Sequence, residues 1–284
     1  MDLQPSRTAL ATAAARAAHL VVDRPPWIFE DTVAQALVGD AGSELIALHR
    51  QDPRAPGLSS MRVAMGTRSR YTERRMGEAV DRGVRQYVIL GAGLDSFAYR
   101  AEMPGDLWVF EVDHPATQAW KRQRLADAAI PIPSSVRFVP VDFTVDSLAR
   151  QLGEQGFDRS RPVFVSWLGV TQYLAVEAIT STLGAVGALG QPVELVMAYV
   201  LPEELRDQQG QAAAESFMPQ AAAFGEPWIT FLTPDHAARL VQEAGMTVIE
   251  DVGTADSIES SLWQRSDGLA PHELPRLIRA SSAP

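Results

Sequence analysis

The chain of 284 residues contains no cysteine, which excludes disulfides, thiolate-held zinc, iron–sulfur clusters and a thiol nucleophile. Basic residues are the minority: 25 Lys and Arg stand against 35 Asp and Glu, a net charge of −10 with His neutral. That sign disfavours a nucleic-acid substrate, because binding phosphates needs a concentrated positive face. Histidine is scarce as well. His19, His49, His114, His236 and His272 are the full set, and no pair has metal-ligand spacing, so no metal is expected. No apolar run approaches the roughly 20 residues that cross a bilayer, so no membrane partner is expected. The first thirty residues lack the compact apolar segment of a signal peptide; Arg7, Arg16 and Arg24 punctuate an Ala-rich stretch instead. These absences predict a cytoplasmic globular protein, and 46% hydrophobic residues suffice for a sizeable core.

What is present falls into two textures. Residues 8–22 are dominated by Ala and end at Pro25-Pro26, a helix pattern. A second helix is expected after Asp31 until Gly39, then a turn around Pro53 and Pro56, then a third helix from about 61 to 80. From Val84 onward, short β-rich runs appear at 84–90, 107–112, 136–141, 162–167, 193–200 and 246–252. Helix-compatible segments at 115–129, 147–153 and 177–189 alternate with them. That rhythm predicts an α/β fold with a mostly parallel central sheet and helices on both faces. Residues 276–280 could add a closing strand. The interval 201–233, with a helix expected over 203–224, is too long for a simple connection and reads as a helical insertion after strand 5. A substrate lid and an extra packing helix are equally open for it. The expected organisation is a helical cap over 1–83 and a cofactor-binding unit over 84–284, parts of one domain.

The sharpest motif is Val88-Ile89-Leu90-Gly91-Ala92-Gly93, a buried strand running into a Gly-x-Gly turn where backbone can approach a ligand. The dinucleotide fingerprint asks for a third glycine, and Ser96 stands there, which weakens an NAD or FAD reading. About twenty residues on, Glu111-Val112-Asp113 puts carboxylates at the tip of the second strand, where a ribose could donate to them. Asp113 also precedes Pro115 and could cap a helix instead; His114 lies beside the same tip. In Arg68-Ser69-Arg70-Tyr71, either arginine could fork onto a ligand carboxylate. S-adenosylmethionine carries such a carboxylate; NAD does not. Asp142 and Phe143 follow the third strand, where a carboxylate could meet an adenine amino group and the next N–H a ring nitrogen. Ser166 and Trp167 close the fourth strand, where adenine and substrate would meet, and Tyr173 and Tyr199 are candidates to face substrate or simply to pack.

Taken together, these motifs resemble the leucine carboxyl methyltransferase family, and within it a bacterial branch that includes polyketide O-methyltransferases. The resemblance spans about residues 7–280, with the motifs in order. It implies a Rossmann-like class I methyltransferase fold with an N-terminal helical cap, using S-adenosyl-L-methionine and releasing S-adenosyl-L-homocysteine. Carried over by motif, Arg70 or Arg68 would bind the methionine carboxylate, and Gly91, Ala92 and Gly93 would line the methionine arm. Asp113 would bind the ribose with Glu111 in support, and Asp142 and Phe143 would hold the adenine. One departure stands out: Leu168 occupies a place where some members have an acidic residue, so a backbone carbonyl near Leu90 or Ser166 would take over the methionine amino group. The implied reaction is methyl transfer to a carboxyl or phenolic oxygen of a small metabolite. A peptide or protein C-terminal carboxylate is the alternative acceptor, and a non-catalytic cofactor-binding protein is the reading from another class. A carboxylate is already ionised at pH 7 and needs no general base, whereas a phenol would benefit from one; no base is assigned.

Overall fold

Strand β1 (Gln86–Leu90) is buried along its whole length, as a central parallel strand covered on both faces must be. The computed structural model describes residues 6–102, 104–141, 147–190 and 192–283. Around β1 are β2 (Trp108–Asp113), β3 (Val136–Pro140), β4 (Val163–Trp167), β5 (Val193–Val200), β6 (Thr247–Gly253) and β7 (Pro275–Ser281). They form one seven-stranded sheet in the order β3-β2-β1-β4-β5-β7-β6. All neighbours are parallel except β7, which lies antiparallel between β5 and β6. This is the Rossmann-like arrangement of the class I methyltransferase fold, and the closing strand is part of it.

Side chains alternate across the strands, so each strand feeds two cores. One side packs Val88, Leu90, Phe110 and Val165 against Leu152 of α6 (Leu148–Glu154), Leu183 of α7 (Val176–Gly187) and Leu240 of α9 (Pro234–Glu243). The other packs Tyr87, Ile89 and Val109 against Tyr71 and Met76 of α3 (Pro56–Asp81) and Phe97 of α4 (Phe97–Arg100). Helix α5 (Pro115–Asp127) follows β2, and α8 (Gln208–Ala223) occupies the interval after β5.

Two helix boundaries differ from the expectation. The second helix does not stop at Gly39; α2 (Ala34–Gln51) bends there, at φ +53°, and continues. Only glycine takes that φ without strain, and a Cβ would run into Arg124. Helix α3 begins earlier than expected because Pro56, with no N–H to lose, sits in its first turn. Helix α1 (Arg7–Val22) packs on both α2 and α3.

A buried polar knot ties these three helices together. Arg62 donates to Asp23 (2.7 and 3.0 Å), to His49 Nδ1 (3.0 Å) and to the Pro53 carbonyl (2.6 Å). His19 Nε2 accepts from the Ile28 N–H (3.0 Å), so Nδ1 carries the proton and donates to Asp23 (2.8 Å). Burial alone would raise Asp23, but the donors His19 and Arg62 outweigh it and hold its carboxyl below the usual range. His49 moves the other way: burial, then the Arg62 charge, push it down to about 4.

Candidate active site

A cavity of about 430 Å³ lies over the carboxyl ends of β1, β2 and β4, the position where open α/β sheets bind ligands. Its roof is α1, α3 and α8. The turn after β1 forms the floor. Gly91 (φ +68°) and Gly93 (φ +44°) both adopt left-handed backbone, and with Ala92 they line the cavity. Their lack of a side chain serves the protein's own packing too. A Cβ on Gly91 would collide with Val170, and one on Gly93 would press on Ala9 of α1 at 3.1 Å.

Asp113 reaches this turn from the tip of β2. Its Oδ2 accepts the Gly93 N–H at 2.6 Å and its Oδ1 the His114 N–H at 2.7 Å. Burial raises its pKa, and those two backbone donors partly offset the rise. Each carboxylate oxygen retains acceptor capacity beyond the one N–H it takes. The helix-capping alternative goes to the neighbour: His114 is the N-cap of α5, its Nδ1 accepting from Ala116 N–H at 3.2 Å. Both Asp113 and His114 border the cavity.

The two arginines separate cleanly. Residues two apart on an α-helix point about 200° apart, so Arg68 and Arg70 cannot share a face. Arg68 lies with Met61, Ala64 and Met65 on the cavity side of α3. Arg70 points away, paired with Glu259 at 2.9 Å on the surface, and is corrected out of the site. The Arg68 guanidinium makes no hydrogen bond or ion pair among the described residues. Burial first, then nearby Arg16, push its pKa down to about 10, with Tyr173 and Asp95 opposing. A cation so placed favours a bound anion. Gly169 (φ +70°) makes room for it: a Cβ there would stand 2.5 Å from Arg68 Nη1. The cavity is thus bordered by a guanidinium with no hydrogen bond or ion pair among the described residues, by the Gly-x-Gly turn and by a carboxylate at the next strand tip.

Glu111, Ser166 and Trp167 lie away from the cavity, whereas Tyr173 and Tyr199 border it. Glu111 is on the same face as Asp113 but one pleat repeat (about 7 Å) deeper. There it is fully buried, with Lys121 Nζ 2.7 Å away, and does not border the cavity. Ser166 is buried with its Oγ 2.9 Å from the Tyr87 hydroxyl, and Trp167 is embedded in the core; the chain first meets the cavity at Leu168. Tyr199 borders the cavity but donates its hydroxyl to Asp251 at 2.6 Å, whereas the Tyr173 hydroxyl makes no hydrogen bond among the described residues. Asp142 and Phe143 lie outside the described residues.

The structure also brings in residues the motifs did not single out. Arg16 of α1 donates to Asp31 (2.8 Å) and to the Leu94 carbonyl (2.7 Å). Ser96, standing in the third-glycine place, donates to the same Asp31 at 2.6 Å. Asp31 in turn accepts the Ala34 N–H at the start of α2 (2.9 Å). The substitution at that place thus clamps the helical cap onto the turn after β1. Asp31 is held below the usual carboxylate range because Arg16, Arg100 and Ser96 outweigh the opposing effect of burial.

Comparisons with known proteins give the family of the chain. The model of the leucine carboxyl methyltransferase family matches residues 9–187. A Bacillus subtilis protein named as an S-adenosyl-L-methionine-dependent methyltransferase (YktD) is 30% identical over 98% of both chains. The chain belongs to the leucine carboxyl methyltransferase family. It is an S-adenosyl-L-methionine-dependent methyltransferase. A Mycolicibacterium paratuberculosis protein of the same designation is 32% identical over 97% of this chain and 90% of its own. Among solved structures, a Thermobifida fusca protein described as a methyltransferase shares the fold at TM-score 0.60 and 18% identity, covering 98% of this chain and 94% of that one.

Proposed function

We propose that this family member transfers the cofactor's methyl group to a carboxylate oxygen of an apolar acceptor held beneath α8. In this reading Arg68 binds the methionine carboxylate, the turn at Gly91–Gly93 lines the methionine arm, and Asp113 accepts from the ribose. The acceptor then occupies the rest of the cavity, where Met61, Met65, Phe217, Phe224, Trp228 and Leu274 provide apolar wall. When bound, the cofactor supplies an electrophilic methyl: an acceptor oxygen forms the new O–C bond in line as the C–S bond breaks, the electron pair remaining on a neutral thioether. The protein's own part is alignment and exclusion of water.

The observation that carries the choice of carboxylate is that, among the described residues, no imidazole lone pair is left free at the cavity. Among the described residues, His114 is the one imidazole bordering the cavity, and the bordering carboxylates, weak bases beside a phenol, each already accept a backbone N–H. His114 Nδ1 caps α5, Asp113 takes two backbone N–H groups, Asp95 takes the Phe97 N–H (2.8 Å), and Glu226 takes the Thr8 N–H (3.1 Å). Methyl transfer to an ionised carboxylate releases no proton and asks for none of these. The family's own designation supports the same atom, and a peptide ending in leucine presents the same pairing of apolar side chain and carboxylate.

The test is methyl transfer from methyl-labelled cofactor to apolar carboxylic acids, to leucine-terminated peptides and to phenols, followed by mild alkali. Carboxyl esters release the label as methanol; phenol ethers retain it. Alkali-labile label supports the proposal and tells small acid from peptide. Alkali-stable label in phenols alone refutes it.

A further inference from the structure

The turn after β4 carries a cavity-lining amide whose main chain is tied down while its own polar atoms have no partner among the described residues. Gln172 is only 7% exposed and borders the cavity, yet its carboxamide has no hydrogen-bond partner among the described residues. The amide's donors and acceptor are thus left open to the cavity, free to bind what enters it. The main chain around it, by contrast, is tied on two sides. The Gln172 carbonyl accepts the N–H groups of Ile229 (2.8 Å) and Thr230 (3.2 Å), from the segment following α8. Thr171 Oγ1 donates to the Ala198 carbonyl of β5 (2.8 Å), and Thr230 Oγ1 to the Leu174 carbonyl (2.5 Å).

The geometry points to Gln172 as the residue that holds the acceptor's carboxylate, donating its amide N–H to the oxygen not being methylated. This deepens the carboxyl-transfer reading and rests on it. A neutral donor suits the chemistry. An arginine or lysine paired with the carboxylate would draw off the electron density the oxygen must give to the methyl carbon, whereas an amide orients it and leaves its charge. The residue stands in the same turn as Gly169 and Tyr173, beside Arg68, so it lies where cofactor and acceptor halves of the cavity adjoin. The segment after α8 bonds to its carbonyl, so the insertion that roofs the acceptor also fixes the main chain that carries the amide.

The test compares wild type with Gln172→Ala and Gln172→Glu, each checked for folding by circular dichroism. Decanoate, 4-phenylbutyrate and N-acetyl-leucine serve as probes, by calorimetric binding to protein saturated with S-adenosylhomocysteine and by label transfer. Gln172→Ala should weaken binding and raise KM for the acid about ten- to a hundredfold, the scale of one hydrogen bond to a charged group. Cofactor affinity should remain within about twofold. Gln172→Glu should be worse than Gln172→Ala, because a fixed negative charge repels a carboxylate; a packing role would leave the two variants alike. Acids bound and methylated equally by wild type and Gln172→Ala, or a Gln172→Glu no worse than Gln172→Ala, overturn this inference alone. Failure of all three acids to bind or accept label in wild type, with phenols accepting it, overturns the carboxyl reading as well.

Discussion

Replacing each arginine of the Arg68-Ser69-Arg70 triplet in turn separates a cavity-facing guanidinium from a surface one. In Arg68→Ala the cation on the cavity side of α3 is gone, and no hydrogen bond or ion pair among the described residues is broken. The whole loss therefore falls on the ligand: a charged hydrogen bond to the methionine carboxylate, about 1.5–3 kcal/mol, or roughly a 10- to 150-fold rise in Kd. Arg68→Lys should recover only part, since a point charge replaces a planar fork. Arg70→Ala breaks an ion pair whose side chains are 37% and 43% exposed, a contact worth no more than about 1 kcal/mol of stability. Its cofactor Kd should stay within about twofold. Isothermal titration with S-adenosylmethionine reads both variants directly. A Kd unchanged in Arg68→Ala, or raised as much in Arg70→Ala, would refute the assignment of the carboxylate contact to the cavity face of α3.

Asp113→Ala removes the acceptor of two backbone N–H groups as well as the ribose partner, so cofactor affinity should fall by about 1–3 kcal/mol together with a measurable loss of melting temperature. Asp31→Ala leaves Arg16 buried without its counter-charge and should cost about 3–5 kcal/mol in urea denaturation. A drop under 1 kcal/mol would mean that the clamp between cap and turn is dispensable. His49 predicts a pH dependence. The unfolded chain takes up its proton near 6.5 and the folded one only near 4, so its contribution is complete above 6.5 and falls away as pH drops towards 4, by about 3 kcal/mol. Glu73, raised to about 7 chiefly by burial, contributes the opposite slope between 4.5 and 7, so wild type should be compared with His49→Asn, which should lose the acid-side decline. Parallel stability curves for the two would exclude His49 as the cause.

The strands were legible because they are buried on both faces: unbroken apolar runs such as Tyr87-Val88-Ile89-Leu90 have no other economical fate in an alternating chain. The place of Gly91, Gly93 and Asp113 at strand tips bordering the cavity was legible for the same reason, since a strand's end fixes where its last side chains go. What escaped depends on distances that sequence spacing does not carry. Arg68 and Arg70 differ by a rotation about a helix axis, and Glu111 and Asp113 by depth along one strand. Ser96 reads as a missing glycine until Asp31, far away in the chain, is seen to accept its hydroxyl. Helix α9 went unread although its start carries a signal: Thr233 caps it, accepting the His236 N–H at 3.2 Å, and Pro234 opens it. Gln172 had no such signal, because an unpaired amide becomes visible only when every neighbour has been placed.

A crystal structure of the protein with S-adenosylhomocysteine bound tests the central claim most directly. The account predicts the methionine carboxylate within hydrogen-bond distance of the Arg68 guanidinium and the ribose hydroxyls on Asp113, with the thioether sulfur facing the cavity under α8. A ligand lying elsewhere on the sheet edge, or one whose carboxylate is held by another residue while Arg68 remains unpaired, would contradict it.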